Sequence, residues 1–76
     1  MSQFERVVKV ARGRAWRTLR DLESLCYAKC GVRDTQPAIS ARLREGDKIN
    51  AAGLKRETKI VGTGFDRVWF YRLVKL

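Results

Sequence analysis

The chain contains 76 residues, enough for one compact domain over residues 1–76 and too few for two. Its hydrophobic content of 45%, with two Trp, two Tyr and three Phe, excludes an intrinsically disordered chain. Seventeen Lys and Arg residues against eight Asp and Glu give a net charge of +9. This excess favours a polyanionic partner, either a nucleic acid backbone or an anionic membrane surface. The alternative is that the charge serves only solubility.

Catalysis and metal binding find no support in the residue types present. The chain contains no His, and Cys26 and Cys30 are its only cysteines. Two cysteines cannot complete a four-ligand zinc site, and on a helix they would share one face as small buried side chains. No nucleophile has an evident base as a partner. We therefore expect no enzymatic activity, no bound metal and no cofactor.

The compartment is predicted from the character of the first ten residues. Met1–Val10 includes Glu5, Arg6 and Lys9, so it lacks the apolar centre of a signal peptide. No run approaches the roughly 18 apolar residues of a membrane-spanning helix. We expect the chain to lie in the cytoplasm, where its thiols remain reduced.

Two helices are predicted in the first half of the chain. Apolar residues at helical spacing predict a first helix over about residues 2–12. The segment Arg14–Arg17 is expected to be extended, with Trp16 pointing inward. Thr18 as an N-cap and Gly31 as a C-terminal cap then delimit a second helix.

A third helix is predicted to begin after Thr35. Pro37 fits the first turn, where backbone N–H groups lack acceptors within the helix. Ile39 and Leu43 are four residues apart and give this helix a buried stripe. We expect the helix to end near Glu45.

The C-terminal third of the chain is predicted to form a β-hairpin. Lys55–Val61 and Arg67–Val74 have the character of strands, and a five-residue connection containing glycine joins them. The preceding segment, Asp47–Leu54, is either an irregular extension of the third helix or a loop. Ile49 and Leu54 are its expected buried residues.

Alternation along the last strand predicts an inner and an outer face. Trp69, Tyr71 and Leu73 are expected to point inward, which would expose Val68 and Phe70 on the outer face. Such an exposed pair could form a homodimer or partner surface. The alternative is that the first helix or the C-terminal residues cover it.

This order of elements resembles the winged helix-turn-helix superfamily. Gly31-Val32 followed by Thr35–Leu43 is similar to the turn and recognition helix of small bacterial repressors. Trp69–Leu73 resembles the closing strand of the wing, and Thr18–Leu22 is similar to the start of the family's second helix. The resemblance implies an α+β fold: a three-helix winged helix-turn-helix with a C-terminal β-hairpin wing. It also implies sequence-dependent binding of double-stranded DNA and control of transcription, as in small regulators of bacteria and their phages.

The chain departs from the family pattern in two places. Arg33-Asp34 lengthens the turn by about two residues, which could shift the reading helix in its groove. Between Gly46 and Gly53 the chain lacks the usual leucine-rich end of that helix. The end of the third helix is therefore left open.

The resemblance implies that the third helix enters the major groove. With Ile39 and Leu43 facing the core, a rotation of about 100° per residue turns the remaining side chains outward. The expected DNA-facing residues of this helix are Thr35, Gln36, Pro37, Ser40, Ala41 and Arg44. Gln36 could pair with adenine and Arg44 with guanine or a phosphate, while Thr35 and Ser40 suit phosphates. For Thr35, capping of the helix is an equal alternative.

Basic residues outside the third helix supply the other expected contacts. In the hairpin, Arg56, Lys59 and Arg67 could follow phosphates or enter a minor groove. Near the start of the second helix, Arg17 and Arg20, together with Arg14, could bind the backbone. For each group the alternative is a solvated basic face.

Two other functions remain open at this stage. The first is a protein-interaction module in which the basic surface meets an acidic protein, since fold does not dictate function. The second is binding of RNA or single-stranded DNA, which would need several exposed aromatic residues. Phe65 and Phe70 are the only candidates for such stacking.

Overall fold

Four helices precede a C-terminal β-hairpin in the computed structural model, which describes residues 1–76. The elements in chain order are α1 (Gln3–Ala11), α2 (Leu19–Cys30), α3 (Gln36–Leu43), α4 (Gly46–Ala51), β1 (Leu54–Val61) and β2 (Val68–Lys75). The strands pair antiparallel, and a short 3-10 turn at Gly64–Asp66 lies between them. The protein is thus a small α+β domain.

Side-chain caps fix where the first two helices begin. Ser2 and Glu5 form a capping box at α1, and Thr18 and Asp21 form another at α2. Each box satisfies two backbone N–H groups at a helix end that has no internal acceptor for them. Gly31, with φ of 69°, ends α2 in the left-handed conformation that glycine adopts without strain. These boundaries confirm the predicted first and second helices.

The hydrophobic core draws on every helix and on the base of the hairpin. The predicted buried pair Ile39 and Leu43 lies within it, as do Ile49 and Leu54. The ten core residues are Val7, Val10, Ala11, Leu22, Cys26, Ile39, Leu43, Ile49, Leu54 and Leu73. Cys26 is a buried free thiol, while Cys30 is only half-buried. Burial raises the pKa of the Cys26 thiol to about 11, so the group packs as a small apolar side chain.

The prediction of three helices is wrong, because residues 46–51 form a separate fourth helix. α3 ends at Leu43, and Arg44 occupies its C-cap. Glu45 then lies between the two helices and pairs with Arg42 at 3.3 Å and with Lys48 at 3.4 Å. The segment predicted as an irregular extension or a loop is therefore a regular short helix followed by a turn at Gly53.

The segment between α1 and α2 is extended as predicted, and it runs beside β2. The N–H of Arg17 donates to Tyr71 O at 3.0 Å, and the N–H of Tyr71 donates to Arg17 O at 2.7 Å. Trp16, however, does not enter the core: it is half-buried beneath the side chain of Arg72, whose guanidinium carbon lies 4.1 Å from the ring centroid. Its inward orientation was predicted wrongly, because β2 lies between this residue and the helices.

The hairpin extends beyond the helices, and this changes the expected burial along β2. Leu73 is fully buried and Tyr71 packs against the core, as predicted. Trp69 lies on the same face but is 48% exposed, which contradicts its predicted inward position. Val68 is exposed as expected, whereas Phe70 is half-buried. None of the helices has the length and apolar character to cross a membrane.

Candidate nucleic-acid interface

A groove of about 290 Å³ separates α3 from the hairpin. Arg56 closes its base, since Nη1 of this residue donates to the Leu43 carbonyl at 3.1 Å. This contact satisfies a carbonyl at the end of α3 and places a cation at the negative end of the helix. The residues that line the groove are Ser40, Leu43, Arg44, Arg56, Thr58, Trp69 and Tyr71. Three residues predicted to contact DNA, Ser40, Arg44 and Arg56, therefore meet at one place.

The beginning of α3 is occupied by internal contacts. The Thr35 hydroxyl accepts a hydrogen bond from the N–H of Ala38 at 3.3 Å, so this residue caps the helix. Gln36 Nε2 donates to Glu23 Oε1 at 3.2 Å. This bond uses one of the two hydrogens on Nε2, so the second hydrogen and Oε1 of Gln36 have no partner in the chain. Glu23 also adds a negative charge beside the predicted reading face.

The remaining residues of α3 that were predicted to face DNA differ in their exposure to solvent. Pro37 and Arg44 are exposed, while Ser40 and Ala41 are half-buried. Arg44 makes no ion pair, and its guanidinium is free to meet an anion at the end of the helix. The side chains of Pro37 and Arg44 therefore point into solvent as expected, whereas those of Ser40 and Ala41 are only partly exposed.

Lys59 does not lie with the groove residues. It pairs with Phe70 across the hairpin, and this pair lies on the outer face of the sheet. Its ammonium lies 4.9 Å from the Trp16 ring centroid and 5.4 Å from that of Phe70. The structure therefore separates Lys59 from Arg56, although both residues were expected to act together.

Arg17 and Arg20, near the start of α2, do not line the groove. Arg17 bridges to Tyr71, and paired residues in adjacent strands share a face, so its side chain lies on the groove side of the sheet. Arg20 is exposed in the first turn of α2. Arg67, at the far end of the hairpin, is exposed and donates from Nε to Gly64 O at 3.3 Å. No single surface contact joins these three predicted residues.

The positive charge of the chain is largely uncompensated. Four of its seventeen Lys and Arg residues make ion pairs: Arg6, Arg42, Lys48 and Arg72. Two acidic residues, Glu5 and Asp21, are engaged as helix caps. Arg44 on α3, Arg67 near the tip of the hairpin and Arg20 at the start of α2 are exposed and make no ion pair, which favours the approach of anions.

Three groove residues escaped the analysis of the sequence: Thr58, Trp69 and Tyr71. Thr58 could have been found, because it lies two positions after Arg56 and therefore on the same face of β1. Tyr71 is directly opposite Thr58, and Trp69 is opposite Ile60. Both aromatic residues were assigned to the core instead, since alternation identifies a face without showing how far the core extends along it.

An ion pair that no sequence pattern indicated lies beneath the start of α3. Asp34 is buried, and its carboxylate accepts hydrogen bonds from Arg6 Nε at 2.7 Å and Nη2 at 2.8 Å. Gln3 Nε2 adds a third hydrogen bond at 3.1 Å. The Arg6 guanidinium, assisted by this amide, lowers the pKa of Asp34 to about 2. The contact ties α1 to the residue just before the cap of α3 and so helps to position that helix.

Comparison of the chain with protein-family models, with curated proteins and with solved structures finds no match.

Proposed function

We propose that this chain is a winged-helix domain that binds double-stranded DNA and regulates transcription. In this proposal α3 enters the major groove, and the hairpin acts as a wing that contacts the adjacent backbone. The observation that carries it is the groove at which Ser40 and Arg44 of α3 meet Arg56 of β1.

The arrangement of elements supports the winged-helix assignment. The segment before α2 meets β2 through two isolated bridges, Arg12 with Leu73 and Arg17 with Tyr71, beside the two-stranded hairpin. α3 packs against both α1 and α2, which leaves its opposite side free for a ligand. The major groove of B-DNA is wide enough to admit an α-helix that has one side free.

The distribution of charge supports DNA as the ligand. Arg44, Arg20 and Arg67 are exposed, and none of them makes an ion pair. Each such cation that meets a phosphate releases counterions, so the affinity should depend steeply on salt. The half-buried Ser40 and Ala41 leave few groups for base recognition, so phosphate contacts should supply most of the affinity.

Binding to a random-sequence duplex at several salt concentrations tests this function. We expect a Kd of about 1–100 µM at physiological salt and a linear fall of log K with log salt. Arg44→Ala should flatten the slope by about one unit, because one phosphate contact is lost. Lys9→Ala is the matched control: it removes an exposed basic residue from α1, away from the groove, and should leave the slope unchanged. Absence of binding by the unmodified chain would overturn the proposal.

A protein-interaction module is the second candidate, and exposed apolar residues on the hairpin favour it. Val61 and Val68, which pair on the outer face of the hairpin, are 50% and 43% exposed. Sedimentation at high micromolar concentration, with Val68→Ser as the comparison, would detect a homodimer through this surface. A monomer in both cases, together with salt-dependent DNA binding, would reject this candidate.

A further inference from the structure

Phe65 is fully exposed at the tip of the hairpin. It is the most exposed large apolar residue of the chain, and the groove between α3 and the hairpin does not include it. A phenyl ring left in water forgoes the burial that usually stabilises an aromatic side chain. An exposed ring of this kind is expected where it becomes buried on binding a partner, because binding then restores the lost burial.

The tip is built to hold the ring outward. Phe65 lies in the 3-10 turn, which the N–H of Asp66 closes by donating to Thr63 O at 3.1 Å. The Arg67 side chain donates to Gly64 O at 3.3 Å and braces the same turn. Gly62 has φ of 97°, and any Cβ there would collide with the Asp66 carbonyl. The backbone around the ring is therefore constrained.

The surroundings of Phe65 favour a nucleic acid over a membrane or a protein pocket. Its sequence neighbours at the tip are Gly64 and Asp66, with Thr63 and Arg67 next to them. A bilayer would take up a broad apolar face, and a protein anchor is normally ringed by further apolar contacts. Phe65 is the one large apolar residue of the connection between the strands, since the exposed Val61 and Val68 lie at the strand ends. Such a projecting ring suits insertion between two stacked bases, where its flat face meets π-systems. Arg67 supplies a cation for the flanking phosphates.

The length of the hairpin fits this position. Arg56 marks the point where β1 contacts the end of α3, and Val61 lies five residues further along the strand. At about 3.3 Å per residue this separation is about 17 Å. Half a turn of B-DNA, from a major groove to the adjacent minor groove, is also about 17 Å. A hairpin of this length, directed along the duplex while α3 occupies the major groove, would bring the tip beyond Val61 to the neighbouring minor groove.

We infer that Phe65 is an apolar wedge that enters the minor groove, partly unstacks one base step and bends the duplex. This inference rests on the proposed binding of double-stranded DNA. Flexible pyrimidine–purine steps such as TA unstack most easily, so the wedge also gives the protein a preference for them at a position that α3 does not reach.

Energy transfer between dyes at the two ends of a short duplex tests the wedge. We expect the unmodified chain to bend a duplex with a central TA step by about 20–90°. Phe65→Ala should abolish the bend and weaken binding on the order of ten-fold, because stacking on a base is lost. Phe65→Leu should retain most of the bend, since leucine also serves as a wedge. A 2-aminopurine placed at the TA step should brighten with the unmodified chain and remain dim with Phe65→Ala.

Thr63→Ala is the matched control, because it alters the same exposed tip without removing an apolar ring. All variants should keep the circular dichroism spectrum of the unmodified chain, since the replaced side chains lie outside the core. Equal bending by the unmodified chain and by Phe65→Ala would overturn the wedge while leaving duplex binding intact. An unbent duplex in tight complex would overturn it in the same way, and a complete absence of binding would overturn both proposals.

Discussion

The carboxylate of Asp34 links α1 to the start of α3 through a single buried contact. Its two oxygens accept three hydrogen bonds from Arg6 and Gln3. Because hydrogen bonds to a charged group in a buried position are strong, this contact fixes the residue that precedes the Thr35 cap. Asp34, one of the two extra residues in the turn, therefore has a structural role.

The Asp34 contact predicts a stability that depends on pH. The pKa of Asp34 in the folded protein is about 2, below its ordinary value of 3.8. A lowered pKa stabilises the folded state above the ordinary value, and this stabilisation disappears as the pH falls from about 4 to about 2. Asp34→Asn should reduce the free energy of unfolding at pH 7 by about 1.5–3 kcal/mol, as judged by urea denaturation.

The same variant should lose less stability than the unmodified chain between pH 4 and pH 2. Asp66→Asn is the control, since Asp66 is exposed and its side chain makes no hydrogen bond. If Asp34→Asn and the unmodified chain lost stability in parallel over that range, the assigned role of Asp34 would be wrong.

Gln36 is the residue of α3 with the most specific hydrogen-bonding capacity, and it is held by Glu23 in the free protein. We predict that Gln36→Ala relaxes sequence preference at one base pair, at a cost of about 1–3 kcal/mol for the preferred site. Lys59→Ala should leave the preference unchanged, because that side chain lies over Trp16 and Phe70 on the outer face. Competition between a selected and a scrambled duplex measures both effects. Equal losses on the two duplexes would remove Gln36 from base recognition.

At the scale of elements, the hairpin depends on the extended segment beside it. A two-stranded hairpin alone is only marginally stable in water. Here β2 also exchanges two backbone hydrogen bonds with Arg17, and Trp16 packs against Arg72 and Lys59. The segment between α1 and α2 thus supports the two-stranded hairpin through isolated bridges to β2.

The two tryptophans should therefore behave differently when they are truncated. Trp16→Ala should lower the free energy of unfolding by about 1–3 kcal/mol, because it removes apolar burial and two cation–π contacts. It should also speed hydrogen exchange at the Tyr71 amide. Trp69→Ala should cost under about 1 kcal/mol, since its ring is half exposed, yet it should weaken DNA binding at the groove. If urea denaturation showed the same loss of unfolding free energy for Trp16→Ala and Trp69→Ala, the different roles assigned to the two residues would be wrong.

Most helices and strands could be predicted from local sequence signals. How far the core covers each of them could not. Thr18 and Gly31 mark the ends of α2, because caps satisfy backbone groups within a few residues. α4 has no such signal, since Glu45 at its N-cap makes no side-chain cap hydrogen bond. The exposure of Trp69 depends on where the helices stop covering the sheet. This is a tertiary property that alternation along β2 does not carry.

The candidate site shows the same division between local and tertiary information. Rotation along α3 placed Arg44 on the outer side correctly, because Ile39 and Leu43 fix the orientation of the helix. The meeting of Arg44 with Arg56 depends on the packing of β1 against the end of α3. Nothing in the sequence indicated that Glu23 would hold Gln36, since the two residues belong to different helices.

At the scale of the whole molecule, the net charge of +9 and the groove between α3 and the hairpin support one account. In the proposed function, unpaired cations would attract the duplex and supply most of the affinity, while α3 would fix its orientation. The hairpin would then contact the adjacent groove of the duplex. The opposite side, around Phe4 and Val8 of α1, should remain free of DNA.

Titration of the labelled protein with a duplex, followed by backbone amide chemical shifts, tests this account most directly. The account predicts shifts at Ser40, Arg44 and Arg56 and along the hairpin to its tip, with the amides around Val8 unchanged. Shifts confined to the surface of α1, or no shifts at a duplex concentration well above 100 µM, would contradict it.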